Sequence, residues 1–206
     1  MNPDFSDVVS GPSGRLLAVT QEQLNRIIGF GPPAPEGSAD EINEVVADAG
    51  ILTHLQLAHF LGQFIYECAY LQNYVETVVP GQYEFRVSLG NTRPGDGSLF
   101  RGRGAPQLTG RSNYASFWNW LQVPGRLDAG VQPVDVLSNP DAVSTRPYRW
   151  LAAAYYWNTH PGLATAADHD DVAGCTRIVT GASIPGDAQG LKSRERLTNH
   201  AIQELG

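Results

Sequence analysis

Apolar side chains recur at three- and four-residue steps through residues 53–71, where Leu57, Ala58, Leu61, Phe64, Ile65 and Cys68 form one stripe. That is the period of a helix with a buried face. Two shorter segments have the same design: Leu24, Ile27 and Ile28 after Thr20, and Ile42, Val45, Val46 and Ala49 after Ser38. Each of the three is introduced by a Ser or Thr followed three residues later by Gln or Glu (Thr20/Gln23, Ser38/Glu41, Thr53/Gln56). Such a pair reads as a capping box, which satisfies backbone N–H groups at a helix start. Gly50 suits the end of the second helix. The pattern predicts helices over about 20–29, 38–49 and 53–71. Further on, ASFWNWLQV offers Phe117, Trp118 and Leu121 to a core, while Trp120 can pack there or stack on a sugar. Asn139-Pro140 and Arg146-Pro147 open two more helical pieces, and RWLAAAYYWNTH is apolar nearly all round, as a central helix is, ending at His160-Pro161-Gly162.

Between these helices the breaks carry the information. Residues 1–17, with Pro3, Gly11, Pro12 and Gly14, read as a loosely held arm, leaving 18–206 as one domain. In the stretch from Gly95 to Tyr114, GDGSLFRGRGAPQLTGRSNY, glycines at 95, 97, 102, 104 and 110 with Pro106 exclude a regular helix, and no period-two alternation makes a strand. It is a shaped loop, dense in side chains that hydrogen-bond sugars: Gln107, Thr109, Ser112 and Asn113, beside Arg101, Arg103, Arg111 and Tyr114. On physical grounds it either grips a substrate or is a glycine-rich surface turn.

Composition narrows the classes. At 206 residues, 42% hydrophobic and 17% charged, the chain is of ordinary globular type. Its formal charge of −7, with 14 Lys and Arg dispersed along it, argues against a nucleic-acid partner. No apolar run reaches the length of about 18 residues that a membrane span needs, so membrane insertion is not expected. MNPDFSDVVSGPSGRLLAVT has neither a basic start nor an apolar stretch before a cleavage site. Synthesis and retention in the cytoplasm follow as the expectation, with any action on a cell wall waiting for phage lysis or dedicated secretion. Cys68 and Cys175 are expected as free buried thiols. Asp168, His169, Asp170 and Asp171 are consecutive and do not converge on one ion, so no metal is assigned.

The run Gly102-Arg103-Gly104-Ala105-Pro106-Gln107-Leu108-Thr109-Gly110, with Asn113-Tyr114, resembles the GRGxxQxTGxxNY signature of family 19 glycoside hydrolases, the plant-type chitinases and related phage and bacterial endolysins. Ala58 to Glu67 is similar to the family's AxFLAQxxHES helix, which carries the catalytic acid at its glutamate, and the resemblance makes Glu67 that acid. Tyr66 stands where the family has histidine. Glu76 corresponds to the second carboxylate of the endolysin branch, with Glu84 and Asp96 as competitors. Nine helical steps would leave Glu67 and Glu76 on opposite faces, so the helix must end between them. Tyr83 to Asn91 and Arg93-Pro94-Gly95-Asp96-Gly97 resemble the endolysin lead-in YExRxxLGN and PGDG, with Arg86 and Asp96 expected to pair. Gly162-Leu163 with Ala167-Asp168, Arg177 to Gly181, and Gly190-Leu191 with Arg194 match later family segments in part. Val179 replaces a substrate-contacting asparagine. Arg194 matches the arginine that pairs with the second carboxylate, or is a surface helix arginine.

The resemblance implies a mainly α, lysozyme-like fold of two lobes around a cleft, acting as a monomer on a polysaccharide without a cofactor. Glu67, kept protonated by apolar surroundings, would donate to the leaving oxygen, and Glu76 would activate a water on the opposite sugar face. Such inversion needs carboxyls about 6.5–9.5 Å apart or more. Gln107, Thr109, Asn113, Tyr114 and Arg194 are the implied substrate-binding residues. Peptidoglycan is the expected substrate from the endolysin-like lead-in. Chitin is the alternative, and a wall-binding module without activity is a third reading, suggested by Tyr66 and Val179.

Overall fold

Thr20 opens the first helix as the pattern requires. Its hydroxyl accepts from Gln23 N at 3.1 Å and the Gln23 side chain accepts from Thr20 N at 3.0 Å, completing the capping box of α1 (Gln21–Ile28). The computed structural model describes residues 17–124, 126, 133–181 and 190–206. The expected arm lies outside the described residues except for Leu17, which is buried.

The second capping box does not form. Gly37 caps α2 (Ser38–Asn43), Ser38 is its first residue, and Glu41 turns instead to Arg149, which donates to it from Nε and Nη2 at 2.7 and 2.6 Å. A two-pronged bond to a guanidinium outcompetes a single backbone N–H for a carboxylate. The helix is interrupted after Asn43 and resumes as α3 (Val46–Ala49), closed by Gly50 at φ 73°. The third box forms by half. Thr53 accepts from Gln56 N at 3.0 Å, but the Gln56 side chain accepts from Leu52 N and donates to Asp168, both at 2.8 Å.

That helix, α4 (His54–Glu67), is buried continuously from Gln56 to Ile65, so the expected stripe is only one side of a central element. Phe60 packs its ring 5.0 Å from Phe64, 5.6 Å from Trp157 and 5.9 Å from Trp150. The two tryptophans belong to α7 (Tyr148–Thr159), the second central helix. On its other side α4 packs against α10 (Leu191–Leu205) so closely that a Cβ at Gly62 would fall 2.0 Å from the Thr198 hydroxyl. The remaining helices are α5 (Asp96–Leu99), α6 (Arg111–Leu121), α8 (Gly162–Asp168) and α9 (Val172–Thr180), with 3₁₀ turns at Val87–Leu89 and Pro140–Ser144. Among the described residues the only extended pairing is two isolated bridges, Val75 with Arg103 and Arg103 with Leu108. No helix among them is long and apolar enough to cross a membrane.

In the middle of the chain one expectation is corrected and one open choice is decided. The 95–114 stretch is not all loop, since α5 occupies four of its residues and α6 begins at Arg111. Trp120 is 8% exposed, with Arg126 over its ring at 4.1 Å, and belongs to the core with Phe117 and Tyr155. The acidic run after α8 ties helices together: Asp168 accepts from Gln56, Asp170 bonds His59 at 2.8 Å, and Asp171 caps α9 through Gly174 N at 2.7 Å. Cys68 and Cys175 are free and buried, and burial pushes both thiols up to about 12.

The expected Arg86–Asp96 pair is absent. Asp96, 1% exposed, binds Arg111 instead and accepts from the backbone N–H of Thr92 and Arg93, each at 3.0 Å, while Arg86 lies over the Tyr83 ring. The Arg111 hydrogen bond, ahead of the two backbone donors, holds the Asp96 carboxyl down at about 2 from its ordinary 3.8. A depressed carboxyl adds stability that is complete above its unfolded value and is lost as pH falls through the folded one. The native state therefore loses this contribution between pH values of about 4 and 2. Acid titration followed by circular dichroism checks it: Asp96→Asn should be less stable than the wild type at neutral pH, with the difference closing toward pH 2.

Candidate active site

Helix α4 stops at Glu67 because the next residues leave helical geometry: Ala69, Tyr70 and Leu71 have φ of 51°, 57° and 69°. This turn reverses the chain and brings the following segment against the glycine-rich loop. Gly104 N donates to Tyr74 O at 2.9 Å, and Glu76 N donates to Gly102 O at 2.9 Å. The break required between Glu67 and Glu76 is therefore built into three consecutive left-handed residues.

Glu76 is held by its carboxylate as well as its backbone. Tyr83 donates its hydroxyl to Oε1 at 2.7 Å, Gly102 N donates to Oε2 at 3.1 Å, and Gln82 lies at 3.5 Å from Oε1. A Cβ at Gly102 would fall 2.9 Å from both Glu76 Oε2 and Gln107 Oε1, so glycine here lets the carboxylate and the loop glutamine share one spot. Burial first, and then the hydrogen bond to Glu76, pushes the Tyr83 phenol up to about 12, which keeps it a donor across the neutral range. Tyr83 belongs to the lead-in segment, yet nothing in its spacing announced this contact. The two competing carboxylates are occupied structurally: Glu84 accepts from Gly95 N and Gly97 N, and Asp96 is paired with Arg111.

The loop is shaped by its own polar side chains. Gln107, at φ 52°, donates to Gly104 O at 3.1 Å, Thr109 to Gln107 O at 2.9 Å, and Asn113 to Thr109 O at 2.8 Å. Gln107 and Thr109 are half-buried and Asn113 is exposed. Behind them Arg103, 2% exposed, donates to Leu99 O, the Tyr114 hydroxyl and Asp141 at 2.9, 3.0 and 2.6 Å. Tyr114 is fully buried and gives its own proton to Arg101 O at 2.9 Å. It props the loop from inside and is not available to a substrate, which corrects its expected role. The physical reason is that a tyrosine on the inner face of α6 has more to gain from burying its ring than from facing water.

Arg194 is corrected too. It pairs with Glu67, not with Glu76, and is 1% exposed. Its other nitrogen donates to Gln63 O and Oε1 at 3.1 and 2.9 Å, and its guanidinium lies 4.4 Å from the centre of the Tyr66 ring. Glu67 therefore sits against a buried cation, not in the apolar surroundings expected for it, with 19% of its side chain open. Tyr66, in the family's histidine position, packs against the start of α10 so closely that a Cβ at Gly190 would fall 2.1 Å from its ring. Across from Glu67 stands Tyr156, whose phenol is pushed up by burial and then by the Glu67 charge, and whose hydroxyl donates to Ile178 O at 3.0 Å. The site thus has one carboxyl at the end of α4, partly open and paired with Arg194, and a second one bound to the signature loop, with Gln107 beside the latter.

No family model matches the chain. A glycosyl hydrolase family 19 domain-containing protein of Haemophilus influenzae is 42% identical over 69 residues, 33% of this chain and 32% of that protein. The match thus spans about a third of this relative's length. Among solved structures, chitinase C from Streptomyces griseus aligns over 91% of this chain and 76% of its own at 19% identity, with TM-score 0.67. A bacterial family 19 chitinase gives the same TM-score of 0.67 over 91% of this chain and 95% of its own, also at 19% identity. A class IV family 19 chitinase from Zea mays gives 0.61 over 91% and 92% at 14% identity. At these identities the likeness is one of fold, and the fold is the mainly α, lysozyme-like one expected.

Proposed function

We propose that this chain, a glycoside hydrolase of family 19 in fold and signature, cleaves β-1,4 bonds next to N-acetylglucosamine in peptidoglycan with inversion at the anomeric carbon. The observation that carries the reading is the clamp on Glu76, whose oxygens are held by Tyr83 and by the backbone of signature residue Gly102. A carboxylate fixed on a loop beyond the helix that carries Glu67 is what a two-carboxyl hydrolase needs. Glu67 gives a proton to the departing glycosidic oxygen as the C1–O bond breaks. Glu76 removes a proton from the water whose oxygen bonds to C1 from the opposite face, and the second sugar leaves as an alcohol. Gln107, Thr109 and Asn113 orient the acetamido group and the water.

Peptidoglycan is favoured over chitin by the lead-in, where Tyr83-Glu84 with Arg86 and the Pro94-Gly95-Asp96-Gly97 turn follow the endolysin pattern. The lead-in also supports the clamp directly, since Tyr83 and Glu84 are the residues that hold Glu76 and anchor the turn. The enzyme would reach the wall after release from the cell that makes it. Chitin is the second reading, supported by the chitinase structures that share the fold. Digestion of purified peptidoglycan and of chitin oligosaccharides, with products identified by mass spectrometry and anomers by proton NMR, tests the proposal. Soluble muropeptides released first as α-anomers are expected. Cleavage of chitin oligomers alone would make this a chitinase, and no cleavage of either would leave a wall-binding module.

A further inference from the structure

Phe85 combines two features that a phenylalanine does not ordinarily have. Its φ is 54°, in the left-handed region that a bulky L-residue enters only under strain, and its side chain is 59% exposed, so burial returns nothing for that strain. The surrounding backbone holds it there. On one side the Glu84 carboxylate accepts from Gly97 N at 2.9 Å and from Gly95 N, and Gly97 packs so tightly that a Cβ on it would fall 2.6 Å from Glu84 N. On the other, Arg86 O accepts from Leu89 N at 3.0 Å and from Asn91 N at 3.1 Å. The ring is thus carried on a fixed backbone, with Val79 and Val87 also exposed along the segment, at 70% and 78%. Two residues of chain span at most about 7 Å, so Phe85 starts within that distance of Tyr83, whose hydroxyl holds Glu76.

We propose that Phe85 is a stacking platform for a pyranose ring of a β-1,4-linked N-acetylhexosamine chain, at a subsite beside the sugar attacked on the Glu76 side. In such sugars the axial C–H bonds make the ring faces apolar while the edges carry hydroxyl and amide groups. One aromatic ring on a segment that carries Gln82, Glu84, Arg86 and Ser88, with only Val79 and Val87 as further exposed apolar side chains, matches that chemistry better than it matches a broad apolar protein partner. The inference rests on the assignment of Glu76 to the active site. It also accounts for the strain, because a backbone held in place beforehand presents the ring without losing backbone freedom at the moment of contact.

The test uses the whole 206-residue chain carrying Glu67→Gln, so that glycan is bound and not cut. Titration calorimetry with a chitin hexamer and with soluble uncross-linked peptidoglycan strands compares this parent with added Phe85→Gly and Phe85→Trp. Phe85→Gly should weaken binding about tenfold, and Phe85→Trp should keep it within about twofold. Glycine also relieves the left-handed backbone, so the thermal midpoint of Phe85→Gly should be no lower than the parent's. A residue that serves only the fold would show the reverse, a lower midpoint with unchanged binding. Equal binding by Phe85→Gly and its parent would overturn the platform and leave the active-site assignment standing. A parent that binds neither glycan would overturn both.

Discussion

Glu67→Gln is expected to lower the rate of glycan cleavage by at least about a thousandfold, within the range that a positioned general acid supplies, while leaving the protein folded. Glutamine keeps a carbonyl oxygen where Arg194 donates, so the tie between α4 and α10 survives in weakened form. It has no proton to give to a leaving oxygen. Glu76→Ala should be comparably slow for a different reason: the water loses the group that takes its proton. The two can be told apart by leaving group. A glycosyl fluoride or aryl glycoside departs without protonation, so Glu67→Gln should recover much of its rate on such a substrate. Glu76→Ala should recover only when a small anion such as azide is added to attack in place of water. Rates from a reducing-end assay and single-turnover kinetics decide the matter. If Glu67→Gln retains a tenth or more of the wild-type rate on the natural glycan, Glu67 is not the acid.

Glu67 and Glu76 were singled out by a resemblance, whereas the folding around them can be set against the pattern of the sequence itself. The stripe from Leu57 to Cys68 and the cap at Thr20 are local, set by residues three and four apart, and the structure has both. A break between Glu67 and Glu76 was legible from the geometry of nine residues on a helix, but it comes at Glu67 and not beyond Leu71 as expected, and its cause, three left-handed residues in succession, was not legible. What failed was pairing over distance. Glu41 with Arg149 spans 108 positions and Glu67 with Arg194 spans 127, and no local pattern says which charge meets which. Asp96 went to Arg111 and not to Arg86 because the chain folds back through the 95–110 turn, which places the start of α6 beside α5. Tyr114 shows the opposite error. Membership of a polar, glycine-rich motif suggested contact with substrate, whereas its ring is buried against Phe100 and its hydroxyl is satisfied within the loop.

Arg194 is where the corrected pairing has its largest consequence for stability. The side chain is 1% exposed and joins three residues of α4 through the Gln63 carbonyl and side-chain oxygens, the Glu67 carboxylate and the Tyr66 ring. Replacing it by methionine fills much of the volume but leaves Glu67 beside buried surface without its counter-charge, and leaves Gln63 Oε1 without its donor. Removing one member of a buried ion pair costs about 3–5 kcal/mol, which in a chain of this size lowers the thermal midpoint by roughly 10 °C. Arg194→Lys should recover only part of this, since one ammonium cannot reach both Gln63 and Glu67 or lie flat on Tyr66. The discriminating measurement is the double-mutant cycle. With Glu67→Gln already present, Arg194→Met no longer strands a charge on Glu67, so its cost should shrink by about 1–3 kcal/mol. Chemical denaturation of the four proteins gives that coupling directly. Additive losses would mean that Arg194 serves the packing of α10 alone, and that the charge on Glu67 is governed by other groups around it.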